Sequence, residues 1–461
     1  MGDGVQVTRR AAGSRRVPVR IAIGAAVVCA VPIWAVAAHA AGFALREYGL
    51  SGMGSAFAGS SAQSDDPGFL AYNPATSSGV VNWDAQFTLD AIYPSSEANF
   101  SLATTALGTN TGGSAAPEDF IKDAYEPGMA LRVRLAPDVT AGVAVSAPWG
   151  LSTRYNQGWA GRYYAIESKL ITVNVAPSIA YQIGGTLTLS AGAQIQYAKG
   201  TLSNAIDFGT LGVVNAVPGS VAGAQDGFVE FNASDWGFGY VLGALWSPDE
   251  ALSIGLAYRS AIDHELNGDV DFTLDSAGVG AVLSGVSGAF LDTRGRADLT
   301  TPTVATLGAA IALSPEFSLL GELGYTSWSD FDELRARFAN PAQPDDFQRY
   351  DWKDTWLYSG GLRYRPDDEW TFRAGAGLDQ SPTKDATRDP RIPDSDRTWI
   401  AFSVRKALSE AYDLELGYGH LFFPKEPISL SAAAPGNALR GNLAGVTDAD
   451  ADVITLQLTL R

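Results

Sequence analysis

The chain is poor in the residues that carry most side-chain catalysis. Its 461 residues include one cysteine, Cys29, and three histidines. Cys29 lies in a leader that we expect to be removed, so the mature chain has no thiol for a disulfide or for a Cys–His site. A Ser–His–Asp triad would need His264 or His420 beside an activated serine, and both lie near the ends of predicted strands. An enzyme that acts on lipid stays only as an alternative.

Positive charge is also scarce. The chain has 32 Lys and Arg against 50 Asp and Glu, with a net charge of −18. Binding to nucleic acid needs a face of Lys and Arg that meets phosphates, so no nucleic-acid partner is expected. The acidic stretch at residues 448–452 could attract calcium, but we interpret it as a solvated loop. The sequence therefore predicts no metal and no cofactor.

Long apolar runs are absent after residue 40. No window there approaches the run of about 18 apolar residues that a membrane-spanning helix needs. Before it, several arginines precede a shorter apolar run at residues 21–36, which is followed by Ala38-His39-Ala40. A positive leader, a short apolar run and a small-x-small site are typical of a secretory signal peptide. We expect residues 1–40 to be removed and the mature chain to begin at Ala41.

What the chain has instead is alternation with a period of two, the pattern of strands with two different faces. In residues 83–93 apolar side chains alternate with Asp, Gln and Thr, and about fourteen segments behave similarly. Many have the length of about ten residues that a tilted strand needs to cross a bilayer. Aromatic residues mark several predicted strand ends, as in the girdles that face the two membrane interfaces: Trp83, Tyr93, Trp236, Trp246, Trp370 and Trp399.

The connections between these segments are of two sizes. Turns such as 136–138, 183–185 and 247–249 are tight, whereas stretches such as 94–126 and 207–233 are long. Short turns on one side and long loops on the other are typical of an outer-membrane barrel. A soluble β-sandwich or an adhesin repeat would explain the alternation but not all these features together. The sequence therefore predicts an all-β fold, a transmembrane antiparallel β-barrel of about 14 strands.

Residues 41–78 do not fit this pattern. They are rich in small residues, do not alternate and are too long for one strand. Such a segment before a barrel is either a disordered tail or a plug inside the lumen, and the residues alone leave both open. Asn73-Pro74-Ala75 near its end indicates a turn, because proline fixes φ and has no N–H to donate.

The chain resembles a known family at several points in the same order. The opening "AGFALREYGLSGMGSAFAGSSAQSDDPGFLAYNPA" is one, followed by "DWGFGYVLGALW", "LAYRSAI", "GYTSWSDFDEL", "FQRYDWKDTW" and "WTFRAGAGLDQSPTKDATRDPRIPDSDRTW". The pieces at 325–328 and 392–399 are the most specific. Together they resemble the FadL-type outer-membrane transporters of long-chain fatty acids and other hydrophobic compounds. The resemblance covers nearly the whole mature chain.

The resemblance implies a fold and a route. It implies a fourteen-stranded barrel at residues 79–461 with an N-terminal plug (hatch) in the lumen, residues 41–78. Substrate would pass without an energy source from a groove among the long loops to a pocket near the N-terminus. It would leave sideways into the bilayer where the third strand kinks, with the Asn-Pro-Ala of the plug against that kink. The partners implied are a fatty acid or hydrophobic small molecule, outer-membrane lipid and lipopolysaccharide, with the chain a monomer.

The resemblance also implies roles for individual residues. Proline and glycine interrupt strand pairing, which supports a kink in "APWGLSTRY". Arg349 would meet a substrate carboxylate, as a lysine can in the family, although a solvated loop arginine is an equal alternative. The residues implied are Phe43 and Arg349 for substrate binding, and Asn73, Pro74, Ala75, Pro148, Trp149 and Gly150 for the plug and lateral gate.

Two positions depart from the family pattern. Asn204 stands where a second basic residue can assist at the pocket, and its loss would weaken a preference for carboxylates. The chain ends at Arg461, where barrels usually end in an aromatic residue that assembly factors read. The resulting hypothesis is passive transport of long-chain fatty acids or other hydrophobic compounds. The alternatives are a barrel enzyme acting on lipid and a structural or adhesive barrel with a blocked lumen.

Overall fold

A computed structural model describes residues 42–47 and 51–461, and the predicted signal peptide lies outside these residues. The described part contains twenty strands that join in one sheet. The strands are β1 (Trp83–Thr104), β2 (Ala124–Ala136), β3 (Val139–Ser146), β4 (Gly150–Arg154), β5 (Glu167–Ile183), β6 (Leu187–Asp207), β7 (Asp226–Trp246), β8 (Leu252–Arg259), β9 (Ile262–Thr273), β10 (Thr293–Thr301), β11 (Val304–Ala312), β12 (Phe317–Thr326), β13 (Glu333–Phe338), β14 (Asp346–Arg349), β15 (Thr355–Tyr364), β16 (Trp370–Asp379), β17 (Arg397–Ser409), β18 (Tyr412–Phe422), β19 (Glu426–Leu430) and β20 (Asn442–Leu460).

The sheet is a closed barrel of 14 antiparallel strands. Several short strands are interrupted parts of one longer strand, as β3 and β4 show by pairing with successive parts of β5. Closure comes from β1 and β20, which pair from Ala85↔Leu460 to Thr104↔Asn442. A closed sheet has no unpaired edge, which is the condition for crossing a bilayer with strands. The predicted barrel of about 14 antiparallel strands is confirmed.

The two faces of the strands differ in polarity. On β1, Asp84, Gln86 and Thr88 are buried, whereas Phe87 and Leu89 are exposed. The exposed apolar side chains face outward, where lipid would meet them, and the polar side chains face the interior.

One predicted interface aromatic lies on the other face. Trp83, Tyr93, Trp236 and Trp246 are exposed, but Trp399 is only 1 % exposed. Its ring lies 5.3 Å from that of Phe57, edge to face. The prediction for Trp399 was wrong because the alternation of β17 places its neighbours on the outer surface instead.

The strands extend into stretches that the sequence assigned to loops. β1 continues to Thr104 and pairs with β20 throughout, although a loop was predicted from Pro94. In this outer part of β1 the polarity of the two faces is reversed. The polar Glu97 and Asn99 are exposed, while the apolar Ala98 and Phe100 are buried. Beyond the bilayer the outer face meets water, so the polar side chains move outward, and the loop prediction failed at this reversal.

The long connections carry the helices of the barrel's outer end. Helix α1 (Phe208–Val214) follows β6, and α2 (Val279–Ser287) follows β9. Asp207 caps α1 by accepting a hydrogen bond from the Thr210 N–H at 2.7 Å. No helix in residues 42–47 and 51–461 combines the length and apolar content needed to cross a membrane.

The N-terminal segment, residues 42–47 and 51–82, forms three short 3-10 helices. They are η1 (Met53–Ser55), η2 (Pro67–Ala71) and η3 (Pro74–Gly79). The last two begin with proline, after Asp66 and Asn73 respectively. Each of those two side chains accepts a backbone N–H two residues on, as N-caps do.

This N-terminal segment contacts the inner faces of strands from different parts of the barrel. Gln86 on β1 accepts the Gly68 N–H at 2.9 Å, and Glu322 on β12 accepts the Ser61 N–H at 3.2 Å. Arg259 on β8 donates to the Ala71 carbonyl at 2.8 Å. Buried main-chain groups of the segment are thereby satisfied by the wall of the barrel.

Two glycines make room for this contact, which leads to a prediction. A Cβ on Gly255 of β8 would overlap the Ser61 carbonyl, and one on Gly375 of β16 would overlap that of Ser55. Changing both glycines to alanine should destabilise the folded protein by about 1–3 kcal/mol per site, because backbone must move. The temperature at which the folded band disappears on electrophoresis should fall, and protease should cut residues 51–79 sooner.

Gly360→Ala on β15 is the matched control, because no atom lies within 4 Å of the added Cβ. Equal behaviour of the double variant and this control would contradict the close fit between the N-terminal segment and the wall.

Candidate functional site

The wall of the barrel is interrupted between β3 and β4. β3 ends at Ser146 and β4 begins at Gly150, so Pro148 and Trp149 lie in the interruption. β3 pairs with β2, but β4 forms a ladder with β5 and none with β2. Residues 124–128 of β2 therefore pair with β1 alone. Proline has no N–H to donate to a ladder, which accounts for the loss of pairing here.

The N-terminal segment supplies the hydrogen bonds that the wall lacks at this interruption. The Leu45 N–H donates to the Pro148 carbonyl at 3.0 Å, and the Gly150 N–H donates to the Phe43 carbonyl at 2.8 Å. On the side that faces β5, the Trp149 N–H donates to the Thr172 hydroxyl at 3.1 Å. The interruption is therefore closed by Phe43 and Leu45 of the N-terminal segment rather than by β2.

Phe43 is the centre of an aromatic cluster next to the interruption. Its side chain is 2 % exposed. Its ring centroid lies 4.6 Å from that of Trp328, 5.5 Å from Phe331, 5.7 Å from Trp352 and 6.0 Å from Trp149. Most of these contacts are edge to face, the favoured geometry for aromatic pairs.

Three members of this cluster had no role assigned from the sequence. Trp328, Phe331 and Trp352 lie where β12 and β15 give way to β13 and β14. The stretches that contain them were quoted as family-like, but nothing in their spacing indicates that they surround Phe43. Only the high aromatic content of these stretches could have suggested that they surround Phe43.

A buried carboxylate fixes the backbone beside Phe43. Asp394, in the loop between β16 and β17, accepts the Gly42 N–H at 2.9 Å and the Ser381 hydroxyl at 2.6 Å. Burial raises the pKa of Asp394 to about 7, although Arg397 and these hydrogen bonds act in the opposite direction. Asp394 therefore titrates near neutral pH while it holds the start of the N-terminal segment.

A cavity of about 210 Å³ is lined in part by Phe231 and Val270, which belong to the same buried apolar cluster as Phe43. It exceeds the volume of roughly 150 Å³ that accommodates benzene in a protein interior. It is smaller than the pockets of about 300–1,000 Å³ that enclose drug-sized ligands. Its wall is mainly apolar, and Arg391 and Arg440 contribute to its polar part.

The structure does not bring Arg349 to this cavity. Arg349 lies on β14 with its side chain 48 % exposed and donates to the Asp351 carboxylate at 2.7 Å. It is absent from the cavity lining. Asn204 does line the cavity, and its side-chain oxygen accepts a hydrogen bond from Arg391 at 2.9 Å.

Asn73-Pro74-Ala75 contacts a different part of the wall from the one expected. The Asn73 amide donates to the Ser61 carbonyl at 2.7 Å and to the Ala244 carbonyl of β7 at 3.0 Å. A Cβ on Gly243 of β7 would overlap the Asn73 amide oxygen. The residues hydrogen-bonded to the interruption are Phe43 and Leu45, not this motif.

The two histidines of the described residues have structural partners. His264 is buried, with Nε2 3.0 Å from the Gln196 amide oxygen. The Nδ1 of His420 lies 2.8 Å from Asp452. Neither ring has a serine hydroxyl among its hydrogen-bond partners in the described residues.

Comparison with known proteins decides the family. Residues 31–461 match the family described as "Outer membrane protein transport protein (OMPP1/FadL/TodX)". The chain belongs to this family. It is therefore an outer-membrane transport protein and not an enzyme, and the resemblance seen in the sequence is confirmed.

Relatives and solved structures agree with this assignment. The "Long-chain fatty acid transport protein" of Escherichia coli (strain K12) is 28% identical over 418 residues, 86% of this chain and 91% of that protein. "Outer membrane protein P1" of Haemophilus influenzae is 25% identical over 83% of this chain and 86% of that protein.

Two crystal structures share the fold. A FadL homologue from Pseudomonas aeruginosa has a TM-score of 0.83 at 24% identity and covers 91% of this chain and 99% of its own. The toluene transporter TbuX of Ralstonia pickettii has a TM-score of 0.62 at 18% identity, over 90% of this chain and 100% of its own.

The titration of Asp394 leads to a prediction. Its pKa in the folded protein lies above the value of about 3.9 expected in the unfolded chain, so the folded state binds more protons between these pH values. This group's contribution to stability should therefore rise as the pH falls through about 7, and be lost as the pH rises again. Asp394→Asn, which is neutral throughout, should remove this dependence.

The measurement is the apparent unfolding temperature of wild type relative to Asp394→Asn at mildly alkaline and mildly acidic pH. Asp385→Asn, at an exposed carboxylate of the same loop, should follow wild type. If the difference in unfolding temperature between wild type and Asp394→Asn does not change with pH, the assignment of this titration to Asp394 is refuted.

Proposed function

We propose that this protein lets long-chain fatty acids or other hydrophobic compounds diffuse across the outer membrane. The observation that carries the proposal is a mainly apolar cavity in the same buried cluster as Phe43, together with the interruption between β3 and β4 that Phe43 and Leu45 close. The Escherichia coli relative is named for long-chain fatty acids and the Ralstonia pickettii structure for toluene, so both substrate classes are compatible with the family. The driving force is burial of apolar surface, about 0.8 kcal/mol per CH₂.

The route begins at the long loops. Exposed valines on the two loop helices support this step, because they offer apolar surface on the outer side: Val213 and Val214 on α1, and Val282 and Val286 on α2. The substrate then moves into the cavity. A structural or adhesive barrel would not need an apolar cavity of this kind in its upper part.

The route ends at the interruption. Residues 41–78 act as a plug in the lumen, and the substrate leaves sideways between β2 and β4, into outer-membrane lipid and lipopolysaccharide. The hydrogen bonds of Phe43 and Leu45 to the interruption support this step, since release of a few bonds would open the wall. The chain acts as a monomer in this scheme, and β1 and β20 close the barrel within one chain, so no partner strand is needed to complete the sheet.

Asn73, Pro74 and Ala75 anchor the plug to β7 in this scheme, while Pro148, Trp149 and Gly150 form the gate with Phe43. The two carbonyls bonded to the Asn73 amide support the anchor.

The first test is uptake of labelled oleate and of toluene by a transporter-deleted host that carries this chain. Ala44 and Trp149 face each other in an isolated antiparallel bridge. That geometry suits a disulfide, and the mature chain has no other cysteine. With Ala44→Cys and Trp149→Cys oxidised, uptake should fall to the level of the empty host, and reduction should restore it.

Each single cysteine variant is a control and should not respond to oxidant. If wild type imports neither compound, the transport proposal is contradicted. Undiminished uptake by the oxidised double variant would exclude movement of the N-terminal segment at the gate and leave transport itself intact.

A second test separates anchoring from gating at Asn73. Asn73→Ala removes the donor to the buried Ser61 carbonyl and to the half-buried Ala244 carbonyl, and an unsatisfied buried carbonyl costs about 1–3 kcal/mol. We expect a lower unfolding temperature, with uptake reduced in proportion to the folded amount. Normal stability with abolished uptake would assign the residue to the gate instead.

A further inference from the structure

An aromatic pair on β6 and β7 marks the membrane interface at the end of the barrel that carries the long loops. Tyr197 lies opposite Trp236, with ring centroids 5.2 Å apart, and Trp236 is exposed on the outer surface. Trp246 lies about ten residues further along β7, at the end with the tight turns. The two tryptophans therefore bracket the length that a tilted strand needs to cross a bilayer.

Two lysines lie on the outer surface just beyond this aromatic pair. Lys199 is two residues beyond Tyr197 on β6, so both side chains are on the same face of the strand. Lys169 of β5 is opposite Thr201, and Lys199 is opposite Ile171. The two lysines are thus diagonal neighbours, roughly 7–8 Å apart. Lys199 is exposed and Lys169 is half-buried.

No carboxylate neutralises this pair of lysines within the part of the chain that the structure describes. Glu167, the carboxylate of β5, is paired with Arg154 of β4 at 3.7 Å. By contrast, Lys425 has its own partner, Asp448, at 2.7 Å. Like charges side by side on a sheet are unfavourable unless an anion binds to them. The surface of β5 and β6 therefore favours an anion at this level.

Directly beyond the lysines the outer surface is concave and polar. A cavity of about 460 Å³ lies there, within the range of about 300–1,000 Å³ that encloses small-molecule ligands. Its polar lining comes from β4 to β7 and from the loop after β4: Arg154, Asn156, Gln157, Glu167, Ser203 and Glu230. Amide, hydroxyl and carboxylate groups of this kind can form hydrogen bonds with the hydroxyl groups of a sugar.

On the other side of the aromatic pair the outer surface is apolar. Ile179 of β5, Leu189 of β6 and Phe238 of β7 are all exposed there. Three zones therefore follow one another along the outside of the same strands: an apolar wall, two ammonium groups and a polar cavity. A molecule that fits this order has acyl chains, then a phosphate, then a sugar.

We propose that Lys169 and Lys199 bind a phosphate group of lipopolysaccharide, the glycolipid of the outer leaflet. Its sugar occupies the polar cavity and its acyl chains lie against β5 to β7. Lysine binds phosphate as a point charge, and basic side chains at a membrane surface attract anionic head groups. The inference rests on the outer-membrane location and not on the transport proposal. Because β4 pairs with β5, the bound glycolipid lies beside the interruption in the wall.

The test measures binding of lipid A, the phosphorylated and acylated sugar of lipopolysaccharide, to the purified protein in neutral detergent. The readout is the rise in apparent unfolding temperature as lipid A is added. Lys169→Gln combined with Lys199→Gln should weaken binding about thirtyfold, since each lysine near an anionic head group contributes about fivefold. Lys169→Arg combined with Lys199→Arg should bind like wild type, because it keeps both charges.

Lys406→Gln is the matched control at the opposite membrane interface. Its Nζ lies 4.5 Å from the ring centroid of Trp370, at the end with the tight turns. This variant should bind lipid A like wild type. If the double Gln variant also binds like wild type, the proposal is overturned.

The wild-type protein decides between sources of the phosphate, whatever the variants do. Dephosphorylated lipid A and phosphatidylglycerol should each bind at least about tenfold more weakly than lipid A, because one lacks the phosphate and the other the sugar. Equal binding of either lipid would refute the glycolipid site. Inorganic phosphate that raises the unfolding temperature as much as lipid A would also refute it. Failure to import oleate and toluene would contradict only the transport proposal.

Discussion

The pairing of backbone N–H and C=O groups is the constraint on which the rest of this structure depends. Within a bilayer no water can satisfy these groups, so the sheet must close on itself. The pairing of β1 with β20 meets that condition along nearly the whole of β1. The interruption between β3 and β4 is an exception to it, and Phe43 and Leu45 supply bonds that β2 does not. A segment that completes the wall is in the position where its movement would open it.

The interior fixes the N-terminal segment through charges as well as main-chain bonds. Arg46 donates to Asp379 of β16 at 3.0 Å, and Asp65 is paired with Arg363 of β15 at 3.1 Å. Buried ion pairs add little net stability, because desolvation offsets most of the attraction, but a broken one is costly. Their effect is to select one placement of the segment.

The polarity of the wall changes along the barrel axis, and the candidate site depends on that change. In the bilayer-spanning part polar side chains point inward, whereas in the outer part of β1 Ala98 and Phe100 do so. An apolar cavity can therefore form above a polar, ion-paired interior. A hydrophobic molecule would find a favourable environment in the outer half and an unfavourable one directly below. This contrast is the physical reason to expect a sideways exit rather than a straight channel.

The sequence by itself determined the barrel and its approximate strand number. Alternation depends only on which face of a strand meets lipid, and that is a local property of each segment. The family resemblance, supported by the N–H that Pro148 lacks, suggested a kink at residues 148–150, and β3 ends at Ser146 just before them. The prediction from the sequence failed at Trp399 and beyond Pro94. There the polarity of each face depends on contact with water and on residues that are remote in the chain.

Only the tertiary structure decided the candidate site. Trp328, Trp352 and Asp394 meet at Phe43 from distant loops, and no periodicity relates them. The sequence also left open whether Arg349 meets a substrate or is a solvated arginine, and packing separates the two. Arg349 lies on β14 with its side chain 48 % exposed and paired with Asp351. Packing thus decides which side chains from the connections reach the lumen, and the strand pattern carries no information about that.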